Sequence, residues 1–85
     1  MPVNIRTGRI LNIDRSNRSF TLISDGDPST IIRFNVPENA LIIGPFGFIT
    51  NFSFLRPGMM VRVRHARFMT ASIPPQTTAF EIRVL

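Results

Sequence analysis

From Met59 to Arg64 the chain alternates strictly after its first residue: Met59-Met60-Val61-Arg62-Val63-Arg64, launched by Pro57-Gly58. Successive side chains of a β-strand point to opposite faces. The run therefore sets Met59, Val61 and Val63 on one face and Arg62 and Arg64 on the other. A strand of this kind needs a core on one side and can meet an anion on the other.

The same period recurs in segments bounded by turn residues. Residues 4–14 read as a first strand, in which Ile10 and Ile13 break strict parity. A bulge near Leu11-Asn12 returns both to the core, and Gly8 suits a sharply curved strand. After the turn cluster Asp14–Asn17, residues 18–24 form a second strand with Phe20 and Leu22 inward and Thr21 and Ile23 outward. The turn Ser24–Ser29, rich in Asp, Gly and Pro, leads to a third strand over 30–36 with Ile32, Phe34 and Val36 on one face. Arg33, Asn35 and Ile31 take the other face, and Pro37 stops the ladder. A fourth strand covers 59–70 and needs a bulge near His65-Ala66 to keep its parity. Residues 78–85 form the last, with Phe80, Ile82 and Val84 inward and Glu81 and Arg83 outward.

Between strands three and four, Gly44, Pro45, Gly47, Pro57 and Gly58 argue against one long helix. The spacing predicts a short strand near 40–43, a glycine-rich loop and one helical turn capped by Asn51. Five strands with two bulges predict an all-β fold: a small five-stranded antiparallel barrel with a long Gly/Pro/Phe-rich connection between strands three and four, filling residues 1–85 as one domain. Its expected core is Phe20, Phe34, Val61, Val63, Phe80 and Ile82.

Gly8-Arg-Ile10, Ile13-Asp14, Phe20-Thr-Leu22, Phe34-Asn-Val36, Leu55-Arg-Pro-Gly58 with Val61-Arg-Val63, and Ala79–Ile82 together make the chain resemble the small bacterial OB-fold-like β-barrel domains, many of which have no assigned function. The resemblance runs nearly the whole chain and implies fold rather than activity. The periplasmic copper-binding OB proteins share this skeleton, and their ligands are a His, Met and Trp set in the strand-two to strand-three region. This chain has no His or Met between residues 18 and 36 and no Trp anywhere, so that metal site does not carry over. Cold-shock proteins share the barrel too, but their exposed rings on strands two and three have no counterpart at Thr21, Ile23, Ile31, Arg33 and Asn35.

Catalytic motifs are missing from the sequence. No Ser sits in a nucleophile elbow, and the five acidic residues form no sequence pair. Asp25-Gly-Asp27 would need a Glu where Val36 stands to make a calcium loop, so it reads as a turn. The lone His65 reads as a surface or partly buried strand residue; with Met59 in the core and Met69 at a strand end, no metal site or cofactor is expected. With no apolar run near 18 residues and no leader, the sequence reads as cytoplasmic, without a membrane partner.

All ten basic residues are arginine and the net charge is +5. That charge favours an anionic partner. The expected function is non-catalytic, low-specificity binding of single-stranded DNA or RNA. Arg62 and Arg64 are the first phosphate contacts, with Arg33 on the neighbouring sheet face and Arg9 and Arg67 behind them. The rival expectation is a protein-interaction or structural module, self-associating through Phe46, Phe48, Phe52 and Phe54.

Overall fold

The computed structural model describes residues 3–85. Seven strands are present: β1 (Val3–Asp14), β2 (Ser19–Ser24), β3 (Ile31–Asn35), β4 (Leu41–Ile43), β5 (Ile49–Thr50), β6 (Met60–Ala66) and β7 (Gln76–Val84). A single 3-10 turn, Phe52–Phe54, is the one helical element among the described residues. Five strands close the barrel in the order β3-β2-β1-β6-β7, and β3 returns to β7. The closing contact is parallel, Arg33–Asn35 beside Gln76–Thr78. The barrel is therefore mixed where the turn spacing predicted it wholly antiparallel. Two strands separated by a long connection pair with no constraint from a hairpin, so their direction is not set by a turn.

β1 is long because it serves two neighbours. Its first half pairs with β6 up to Arg9, and its second half pairs with β2 from Gly8 onward. Gly8 stands where both partners meet it, and a Cβ there would lie 2.2 Å from the Ile23 carbonyl oxygen. Only glycine permits that approach. The bulge expected at Leu11 is present as a register shift between Ile10 and Asn12, and it keeps Ile10 and Ile13 on the core side.

The second bulge lies on the opposite strand from the one expected. His65 pairs with Ala79 while Arg64 pairs with Glu81, so the extra residue is Phe80 on β7. Ala79 takes the buried place and the Phe80 ring turns outward. His65 stays in register with Val61 and Val63 and is wholly buried rather than at the surface. β6 ends at Ala66, so Arg67 follows the strand instead of sitting on it.

Phe20, Leu22, Ile32, Phe34, Val61, Val63 and Ile82 fill the barrel. The Phe20 and Phe34 rings meet at 5.4 Å between centroids, tilted by 33°. Burying each such side chain contributes about 1.5–3 kcal/mol. The connection between β3 and β6 supplies the plug: Val36, Ile42, Phe52 and Leu55 join the same core. Asn51 caps the 3-10 turn, its side chain accepting from the Ser53 N–H at 3.0 Å.

Candidate functional site

The β4–β5 hairpin is bolted to the barrel on one side and open on the other. Leu41–Ile43 run parallel to Glu81–Arg83 of β7, and Ile42 and Ile43 are buried there. The turn beyond them is closed by its own backbone: the Gly44 N–H donates to the Phe48 carbonyl at 2.8 Å and the Gly47 N–H to the Gly44 carbonyl at 3.0 Å. Gly47 adopts φ +86°, a conformation that glycine takes at little cost. This turn leaves Phe46 at 87 %, Phe48 at 76 % and Ile49 at 76 % of full exposure. They line a shallow cleft of about 280 Å³ with Gly44, Pro45, Thr50 and Phe54. Every one of those side chains is apolar or a hydroxyl.

Arginines hold the 3-10 turn that follows the tip in sequence. Arg15 donates to the Phe52 and Leu55 carbonyls at 3.4 and 2.8 Å, and Arg56 donates to the Leu55 carbonyl at 3.1 Å and also to the Ser53 carbonyl at 2.5 Å. Arg18 donates to Val36 and Pro37 carbonyls at 2.9 and 3.3 Å, which holds its backbone at φ +48°. Phe52 is buried beneath Arg15 and Arg18, whose guanidinium carbons lie 5.9 and 5.1 Å from its ring centre. It is thus a core residue, not a contact residue. Phe54 is partly exposed, and Phe46 and Phe48 are the open rings of the four named from the sequence.

The arginines expected to grip a phosphate chain do not act together. Arg62 and Arg64 do share the outer face of β6, but Arg64 is paired with Glu81 at 3.6 Å. Arg33 is not on a neighbouring face: β3 and β6 are separated by β7 on one side and by β1 and β2 on the other. It reaches instead across β2 to Asp14 at 3.2 Å and Ser19 at 2.9 Å. Arg9 donates to the Gly58 carbonyl at 3.0 Å.

At the far end of the barrel, His65 Nδ1 lies 2.9 Å from the Ala66 carbonyl oxygen. A carbonyl only accepts, so Nδ1 carries the proton and Nε2 presents a lone pair. Nε2 has no hydrogen-bond partner among the described residues, and neither does Arg6 Nε. Burial pushes the His65 pKa down, and the nearby Arg6 charge adds to that against the Ala66 hydrogen bond. A third feature is a groove of about 540 Å³ on the outside of β1–β3, walled by Leu11, Thr21, Ile31, Ile73, Pro74 and Pro75.

No protein-family model matches the chain, and no curated protein matches it. Solved structures do. The chain is similar to silver(I)-bound CusF at a TM-score of 0.66 and 14 % identity, covering 100 % of both chains. It is similar to silver(I)-bound CusF of Escherichia coli, residues 10–88, at 0.67 and 15 %, covering 99 % of this chain and 92 % of that one. A Trp-to-Ala variant of the same protein with copper(II) gives 0.64 and 15 %, covering 98 % and 91 %. These likenesses establish the small closed OB-like barrel.

They also overturn the nucleic-acid expectation. The matching solved barrels are CusF with silver(I), with copper(II) or without metal, and none is named for DNA or RNA; Arg33, Arg64 and Arg9 are tied to other partners. Strands β2 and β3 offer such a metal no soft donor. β2 and β3 carry Thr21, Ile23, Ile31 and Arg33 outward, with no His, Met or Cys between Ser19 and Asn35. Among the described residues no three His, Cys, Asp or Glu side chains gather into a ligand set.

Proposed function

We propose that the protein is a non-catalytic docking module whose working surface is the β4–β5 tip. What carries the reading is one observation: a turn closed by two backbone hydrogen bonds holds Phe46, Phe48 and Ile49 out in solvent. Exposed apolar area is disfavoured by about 25 cal/mol per Å². A cluster of large side chains left open on a rigid support is the mark of a surface that is covered in use. The metals named for the CusF structures enter here only as a competing reading, and the donor set on β2 and β3 speaks against it.

The test pairs two measurements on the wild type and on Phe46→Ser/Phe48→Ser. The double variant is expected to elute early from a phenyl matrix that retards the wild type, with an unchanged circular dichroism spectrum. Titration of the wild type with silver(I) is expected to show no saturable site. Equal retention of both proteins would remove the tip as the docking surface. A stoichiometric silver site would replace docking with metal handling.

A further inference from the structure

We propose that the surface covering this tip is an anionic lipid bilayer, an inference that rests on the docking reading above. Three observations carry it. The first is shape. The open side chains cluster on one tight turn around a shallow cleft of about 280 Å³, not along an extended groove. A compact cluster of exposed apolar side chains enters a fluid acyl boundary without needing a matching cavity.

The second is area. A large aromatic side chain presents about 150–250 Å², so Phe46, Phe48, Ile49 and the part-exposed Phe54 together offer roughly 500 Å² at their exposures. A stable protein–protein interface takes about 800 Å² from each partner. The tip falls short of that, whereas interfacial insertion needs only a few apolar side chains buried about 5–10 Å deep, aided by basic residues.

The third is charge. Arg15 and Arg18 line a second cleft with Asn51, Phe52 and Ser53, next in sequence to Thr50 and Phe54 of the tip cleft. Arg56 joins them through Ser53 and Leu55. No carboxylate lines either cleft. Each of these guanidiniums spends two hydrogen bonds on backbone carbonyls and so is fixed in place. A guanidinium has five N–H donors, which leaves the remainder for phosphate oxygens. An apolar anchor alone gives marginal membrane affinity; an anchor with a basic cluster gives stable attachment.

Sedimentation with vesicles tests this directly. The wild type is expected to bind vesicles containing phosphatidylglycerol roughly 10–100-fold more tightly than vesicles of phosphatidylcholine alone, as three arginines near the surface dictate. Added salt is expected to erode the difference. Phe46→Ser/Phe48→Ser is expected to lose binding to both while keeping its fold. Equal binding to the two vesicle types would overturn the anionic requirement. Failure to bind either, with the phenyl matrix still separating wild type from variant, would overturn the lipid and leave the docking reading in place, with a protein as the partner. Unimpaired vesicle binding by the double variant would overturn the role of the tip.

Discussion

Two pairs of phenylalanines, Phe20 with Phe34 and Phe46 with Phe48, have identical chemistry and opposite fates. The first pair sits on adjacent paired strands, directly opposite in register, and both rings are sealed in the barrel. The second pair sits on a turn outside any strand ladder, on either side of Gly47 at φ +86°, and both rings stand in solvent. Burial follows from what the backbone sets each ring against, not from the hydrophobicity of the side chain alone. The connection between β3 and β6 contains both outcomes, since Phe52 lies four residues past Phe48 and is buried.

The largest expected effect lies in the first pair. Phe34→Ala removes a ring that touches both Phe20 and His65, the latter at 5.2 Å between centroids. Chemical denaturation should show a loss of about 3–5 kcal/mol, which a domain this small scarcely tolerates. A loss under about 0.5 kcal/mol, the range of ordinary surface changes, would mean that the barrel interior is not packed as described.

Phe52→Ala probes the boundary between the two regions. The ring plugs the barrel end but leaves its outer face to Arg15 and Arg18. Its loss should cost about 1.5–3 kcal/mol, the transfer part of a buried ring. It should also loosen the 3-10 turn and lower vesicle affinity, because the bordering arginines lose the surface they rest on. An effect as small as that at Phe48 would assign Phe52 to the open cluster after all.

The division between legible and hidden features follows the same lines. The five barrel strands, the short strand β4, the Leu11 bulge and the Asn51 cap were readable, because alternation and capping chemistry are local; the two-residue β5, expected as loop, was not. Phe80 was not. Whether the bulge falls on β6 or on β7 depends on how the two strands pair, and each strand read alone offers a parity break that one bulge would repair. His65 was misplaced by the same ambiguity. The parallel closure of β3 on β7 joins segments more than forty residues apart and leaves no local trace. At the tip, the Phe cluster was visible as composition. Its split into core and surface was not, because that depends on backbone geometry at Gly44 and Gly47. The arginines misled through counting: parity places Arg62 and Arg64 correctly, but the partners of Arg64, Arg33 and Arg9 are long-range.

The buried histidine gives a pH handle on the barrel that the tip lacks. Its ordinary pKa is 6.5 and burial lowers it in the folded state. The unfolded chain therefore takes up a proton first as the pH falls. Stability is full above about pH 6.5 and declines below it, by at most about 1.4 kcal/mol per pH unit for one proton. Asp14 and Asp27, whose hydrogen-bonded carboxyls lie below their ordinary 3.8, act only in more acid solution. Denaturation midpoints of the wild type and of His65→Leu across this range are the measurement. A persistent slope in the variant would assign the effect elsewhere.

The smallest expected effect closes the comparison. Phe48→Ala deletes as many atoms as Phe34→Ala, yet the Phe48 ring is 76 % exposed and the turn that carries it is closed by backbone groups alone. The unfolded chain exposes the ring about as fully, so little transfer free energy separates the two states. Stability should change by no more than about 0.5 kcal/mol, while retention on the phenyl matrix falls. A loss of several kcal/mol would show the ring folded back onto the barrel in solution, removing both the contrast between the pairs and the docking surface built on it. An unchanged stability with reduced vesicle binding would separate the two regions cleanly, one holding the fold and the other meeting the partner.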